Sequence, residues 1–274
     1  MSRVSSAGSS ALISGTKAEQ TTRAISTMTD SSGRKDSMET GWKDISETLS
    51  GCKGEAFHKI YTEVKNVVAH QLGNPSLKGI KGFIFYGEPG NGKTLMAKVL
   101  AKELQLSLFF VDGSAIAREL YGQSERQIVK VFTNARKKRS LILIDDAESV
   151  FPDRDWMKGE SWHVAQNNIL FHQIDEMDTS QTALVMTTNK FQLLDSALKD
   201  RLYPIEFPPI DQRTAIEVAK MMCAEKKIDP ERAEERIRDE PDTFKSGRAI
   251  EKLVVREYIR QVGEGRGASP RRQE

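Results

Sequence analysis

The chain has little that would fix it in a membrane, a disulfide framework or a structural metal site. Its 274 residues include two cysteines, Cys52 and Cys223, and four histidines, His58, His70, His163 and His172. Two thiols so far apart make no disulfide scaffold, and no Cys/His spacing suits a metal, so reduced thiols and no structural metal are expected. Long hydrophobic runs are missing as well. None approaches the roughly 18 residues of a membrane span, and the start of the chain lacks the apolar core of a secretory signal. The expectation is a soluble, intracellular, cytoplasmic protein without a membrane span. Net charge is also small: Lys+Arg 41 against Asp+Glu 39 leaves +2. A sequence-independent DNA binder presents a clearly basic face, so nucleic acid is disfavoured as a partner except through local patches.

What is present is an ordinary globular composition, with 38% hydrophobic and 29% charged residues, and enough length for a packed core with a tail to spare. Residues 1–40 are dense in Ser, Thr and Gly and cannot bury enough surface to offset the entropy of ordering, so a disordered tail is predicted there. Arg3, Lys17 and Arg23, with Glu19 as the acid among them, give it a weak likeness to an organelle-import leader. The end, GEGRGASPRRQE over 263–274, reads as a second flexible tail. Between the tails, apolar runs of strand length at Phe83–Tyr86, Leu108–Val111, Leu141–Ile144, Ala183–Met186 and Ile205–Phe207 alternate with segments of helical spacing. After Gly122, for instance, Ile128, Val131, Phe132 and Ala135 share one helix face. This alternation predicts an α/β fold, a three-layer α/β/α arrangement around a parallel sheet, over residues 41–210. Beyond Asp211 the strands stop. Helical patterns at Ala215–Lys227, Glu231–Arg238 and Gly247–Val262 predict a small all-helical lid subdomain over 211–262.

Phe83–Tyr86 runs directly into GEPGNGKT, which matches G-x-x-x-x-G-K-[ST] from Gly87 to Thr94. Strand, loop and helix in that order are the context in which this P-loop pattern has meaning. Gly87, Gly90 and Gly92 let the backbone turn tightly and aim successive N–H groups, together with a helix N-terminus, at an anion. Lys93 would reach the β and γ phosphates of ATP, and the Thr94 hydroxyl would ligate Mg²⁺. The predicted nucleotide-binding set is Gly87, Glu88, Pro89, Gly90, Asn91, Gly92, Lys93, Thr94 and Leu95. A magnesium site also needs an acid at the end of an apolar strand. Leu141-Ile-Leu-Ile-Asp145-Asp146 supplies it, Asp145 holding the metal and Asp146 polarising the attacking water as general base.

With both motifs placed, the region from Gly41 to about Val262 resembles the AAA+ ATPases, and within them the protein-remodelling branch. GWKDISETLSG resembles the segment that precedes the sheet and packs near adenine, with Asp44, Ile45 and Gly51 at matching places. LILIDDAESVF resembles the Walker B strand and its continuation. ALVMTTN ends on Asn189, matching the sensor 1 residue that orients the lytic water. LDSALKDRLYPIEFPPID resembles the stretch that carries the arginine finger, on which Arg201 aligns best. SGRAIEKLV resembles sensor 2, with Arg248 placed to touch the phosphates. The resemblance implies ATP hydrolysis with Mg²⁺ at a site shared between neighbours in a hexamer, either of this chain alone or with related subunits.

The chain departs from that family in three places. The family has Asp-Glu where this chain has Asp145-Asp146, one methylene short, which makes slow hydrolysis an expectation. One arginine stands where many members have two. The pore-loop order is Leu120, Tyr121, Gly122, leaving Tyr121 as either a displaced pore aromatic or a buried helix-start residue. Arg136, Lys137, Lys138 and Arg139 suit a helix C-terminus; contact with nucleic acid is the alternative. Trp156 and Trp162 flank a polar loop that is either a partner contact or packed. Three functions follow: a ring motor acting on a protein substrate, a clamp-loader-like or helicase-loader-like switch, and a weakly hydrolysing nucleotide-dependent scaffold.

Overall fold

The computed structural model describes residues 52–77, 79–116, 123–153 and 161–267, and the side chains of all of these except 123–125, 161–166 and 264–267. They lie in one compact unit, Met38–Glu274. The tail over 1–40, Asp44, Ile45 and Gly51, the Leu120–Gly122 triplet and Trp156 fall outside the described residues.

Strands β1 (Phe83–Tyr86), β2 (Ser107–Asp112), β3 (Ser140–Asp145), β4 (Thr182–Thr188) and β5 (Tyr203–Glu206) form a parallel sheet in the order β2-β3-β4-β1-β5. Side chains alternate strictly across it, as the strand period of two requires. Phe83, Phe85, Leu141, Leu143 and Val185 face helices α1 (Glu55–Gln71) and α2 (Lys93–Glu103), where Val64, Val68, Met96 and Leu100 are buried. Ile84, Ile142, Ile144, Leu184 and Met186 face the opposite way, against α4 (Gln123–Ala135) and α5 (Ser161–Asp175). Because both faces are covered, the strands read as continuous apolar runs rather than as alternating patterns. Each fully buried Leu, Ile or Phe contributes about 1.5–3 kcal/mol of transfer free energy to this core.

Two elements differ from expectation. The last strand begins at Tyr203, ahead of the expected Ile205, and includes Pro204. At the sheet edge a missing N–H costs no ladder bond, so proline is tolerated. Helix α1 has no counterpart among the sequence expectations. Its N-cap is Gly54, which offers no side-chain acceptor, so the usual start signal is absent.

Short helices α3 (Gly113–Ile116) and α6 (Ser196–Arg201) follow β2 and precede β5. The lid is built from α7 (Gln212–Glu225), α8 (Glu231–Asp239) and α9 (Gly247–Gly267) around Ala219, Cys223, Ile237, Phe244, Ile250 and Val254. Asp211 caps α7 by accepting from Thr214 N–H at 2.8 Å and from the Thr214 hydroxyl at 2.8 Å. Helix α9 continues past the expected boundary at Val262; Gly263 stands in open space, so no packing opposes another turn. Among the described residues no helix is long and apolar enough to cross a membrane, and neither Cys52 nor Cys223 is in a disulfide.

The consequence for function lies in strand order. β3, β4 and β1 are neighbours, so the chain leaving each at its carboxyl end meets the others. Open parallel sheets take ligands at that edge.

Candidate nucleotide site at the carboxyl edge of the sheet

The loop after β1 is shaped by backbone that only glycine adopts readily. Gly87, Gly90 and Gly92 have φ of 137°, 87° and 88°, and a Cβ on Gly87 would lie 2.4 Å from the Phe207 carbonyl oxygen. Gly92 is the left-handed N-cap of α2, so the free N–H groups of that helix face the loop. Lys93 curls back over it, its Nζ donating to the carbonyl oxygens of Gly87 at 2.7 Å and Glu88 at 2.9 Å. Burial lowers its pKa, opposed by the charges of Asp145, Glu148, Asp146 and Glu88. A cation so placed has water stripped from it and awaits a stronger anion.

Asp145 ends β3 beside Lys93. The Thr94 hydroxyl donates to its Oδ1 at 2.7 Å, and the Thr187 hydroxyl donates to the same oxygen. A hydroxyl and a carboxylate converging on one point are the donor set a hard cation takes. Among the described residues no cluster of three or more His, Cys, Asp or Glu could hold a metal ion. Thr94 and Asp145 therefore fit magnesium whose remaining oxygens come from phosphate and water, as that ion's usual sites do.

Asp146 adopts left-handed backbone, φ 51° and ψ 50°, which turns its side chain toward the end of β4. There Asn189 touches two acids: its Nδ2 donates to Asp146 Oδ1 at 3.3 Å, and its backbone N–H donates to Glu148 Oε1 at 3.3 Å. Burial, followed by the charges of Asp145, Glu148 and Asp112, raises the Asp146 pKa, with Arg248 pulling the other way. Arg248, at the start of α9, lies over the loop, and Gly247 N–H donates to Gly90 O at 2.9 Å. The lid is thus hydrogen-bonded to the phosphate loop itself.

A cavity of about 140 Å³ opens between loop and lid, lined by Gly54, Phe57, Leu95, Phe207, Thr214 and Met222 among others. Its walls are apolar, suited to a flat heterocycle. Asn91 lies on its lining and spans to Phe207 O at 3.4 Å. Pro89 completes the loop between Glu88 and Gly90.

Arg201 is the exception to this convergence. Its Nε donates to Asp175 Oδ1 at 3.1 Å and its Nη2 to Oδ2 at 3.2 Å, while Nη1 donates to Ala197 O at 3.0 Å. The guanidinium also lies 4.7 Å over the Phe171 ring. None of these contacts is with Lys93, Asp145, Asp146 or Asn189.

These features mark a site that binds a nucleoside triphosphate. Residues 83–209 match the family described as ATPases associated with various cellular activities (AAA). The chain carries an AAA+ ATPase domain. It is 33% identical over 182 residues to the peroxisomal ATPase PEX6 of Saccharomyces cerevisiae, covering 63% of this chain and 17% of that one. It is 32% identical over 174 residues to the 26S proteasome regulatory subunit 8 homolog of Encephalitozoon cuniculi, covering 58% and 44%. To the peroxisomal ATPase PEX6 of Yarrowia lipolytica it is 34% identical over 165 residues, covering 58% and 16%. The chain matches less than half the length of each of these relatives.

Sequence reading missed the participants in this AAA+ domain that have no motif of their own. Thr187 carried a signal that was available, being a polar residue two places before Asn189 on a strand that alternates. Asp175, Phe171 and the cavity wall of α1 carried none, because their relevance depends on contacts far along the chain.

Proposed function

We propose that this protein hydrolyses ATP as a subunit of a ring and uses the turnover to remodel a protein substrate. The observation that carries this reading is the division of the arginines. Arg248 joins the acids and Lys93 around one loop, whereas Arg201 is fixed to Asp175, outside that cluster. A finger bound for a neighbour's nucleotide is expected to stand so.

Lys93 would bind the β and γ phosphates, and Thr94 and Asp145 would hold Mg²⁺, which would neutralise charge on the transferred phosphoryl group. Asn189 orients the lytic water, and Arg248 ties the lid to the phosphates. Arg201 reaches the adjacent subunit's γ phosphate and stabilises the charge that develops there. The ring consists of this chain, in hexamers, or of this chain with related subunits. That curated relatives include a peroxisomal ATPase and a proteasome regulatory subunit favours a protein substrate over nucleic acid. The near balance of charge points the same way.

Turnover per subunit, measured against protein concentration, tests this. It should rise steeply through the concentration at which light scattering detects assembly. Turnover per subunit that is constant from monomer to ring would refute a shared site.

A further inference from the structure

Glu148 follows the Walker B strand on a short 3₁₀ turn, Ala147–Ser149, that carries its side chain back toward the site. Oε1 accepts from Asn189 N–H at 3.3 Å. Oε2 is sealed from solvent and accepts no hydrogen bond among the described residues. A buried acceptor without a donor costs on the order of 1–3 kcal/mol, and the charges of Asp145 and Glu148 both act on Asp146. A fold gains nothing from such an arrangement. An alanine or glutamine would relieve it.

Asp146, the other acid available for proton transfer, is one methylene shorter; its Oδ1 accepts from the Asn189 side chain at 3.3 Å, as Glu148 Oε1 does from the Asn189 backbone. The charges of Glu148 and Asp146 both act on Lys93, the cation expected to meet the terminal phosphate.

We propose that Glu148 is the general base of ATP hydrolysis in this protein, and that Asp146 positions Asn189. The inference rests on the ATPase reading above. In the step, the water oxygen forms a bond to the γ phosphorus as the bond from that phosphorus to the ADP oxygen breaks. The proton of the water passes to the Glu148 carboxylate and leaves with inorganic phosphate or solvent; nothing is oxidised or reduced. The extra methylene of Glu148 supplies the reach that Asp146 lacks. What serves this role is an acid two positions further on, offered from a turn instead of a strand end.

The test uses the full chain with ATP and Mg²⁺ and compares wild type, Lys93→Ala, Asp146→Asn, Glu148→Gln and the double variant Asp146→Glu, Glu148→Gln. Glu148→Gln should keep nucleotide affinity and lose turnover on the order of a hundredfold or more, Asp146→Asn should lose distinctly less, and the double variant should recover turnover by restoring a long acid one site earlier. Without nucleotide, Glu148→Gln should melt no lower than wild type, because the amide keeps an oxygen for the Asn189 N–H and removes a buried carboxylate oxygen that has no donor. A Glu148 that merely tethers Asn189 would instead lower the melting temperature on substitution and leave turnover near wild type, which would overturn the assignment. A loss in Asp146→Asn equal to or larger than that in Glu148→Gln would overturn it too. If wild type turns over no faster than Lys93→Ala, the ATPase reading fails and takes this inference with it; if Lys93→Ala is inactive while Glu148→Gln is not, only the inference fails.

Discussion

Two charged regions of this domain are wired in opposite ways. Around the phosphate loop the hydrogen bonds run between groups of the same site: Lys93 to the loop carbonyls, Thr94 and Thr187 to Asp145, and Asn189 to Asp146 and Glu148. Arg201 is bonded to Asp175 and Ala197 and stacked on Phe171, residues of α5 and α6 rather than of the phosphate loop. The first arrangement is preorganised for a ligand that the same chain binds. The second fixes a cation through all three of its nitrogens. On the proposed function, the difference separates residues that bind from a residue that is delivered.

The largest expected effect is on that delivered residue. Arg201→Ala should lower turnover by about a thousandfold, the scale of an arginine finger, and leave ATP affinity as in wild type. A parallel loss of affinity would put Arg201 in its own subunit's site and erase the distinction. Lys93→Ala should do the reverse in kind: ATP affinity, measured by titration calorimetry, falls by about a hundredfold because charge-assisted bonds to the phosphates are lost. Asp175→Asn keeps shape but discharges the holder of Arg201, and should lower turnover by about tenfold without changing affinity. Unchanged turnover would show that Asp175 plays no part in aiming the guanidinium.

The smallest effect concerns the lid. Asp211→Ala removes the α7 cap and should cost about 1 kcal/mol, seen as a lower melting temperature. Backbone N–H donation from Thr214 holds the Asp211 carboxyl below its ordinary 3.8. A carboxyl with depressed folded pKa stabilises above its unfolded value and loses that contribution as pH falls. Wild type should therefore lose lid stability from about pH 4 downward, and the variant should lack that component of the decline.

How much of this was legible in the sequence depended on range. The phosphate loop was, because binding phosphate forces glycine, lysine and threonine into adjacent positions. The sheet was too, since a strand covered on both faces must be apolar throughout, as in Leu141-Ile-Leu-Ile. The strand with Pro204 was read short because a proline argues against pairing unless the strand is known to be at an edge. Helix α1 went unread for want of a side-chain cap. The Asn189 contacts to Asp146 and Glu148, and the Arg201–Asp175 pair, join residues dozens of positions apart, and only the adjacency of β3 and β4, or of α5 and α6, brings them together. Tyr121, singled out as a pore residue or a core residue, lies outside the described residues and stays with both readings open.

One mixing experiment addresses the delivered arginine directly and does not depend on which acid is the base. Lys93→Ala protein keeps Arg201 but, at ATP concentrations well below its weakened affinity, stays empty; Arg201→Ala protein holds nucleotide but lacks the finger. Each alone should be inactive. Combined into mixed rings, verified by energy transfer between differently labelled subunits, they should regain part of wild-type turnover, because an Arg201→Ala site then faces a neighbour with an intact arginine. Mixed rings that stay as inactive as their parents would contradict a site completed across the subunit boundary.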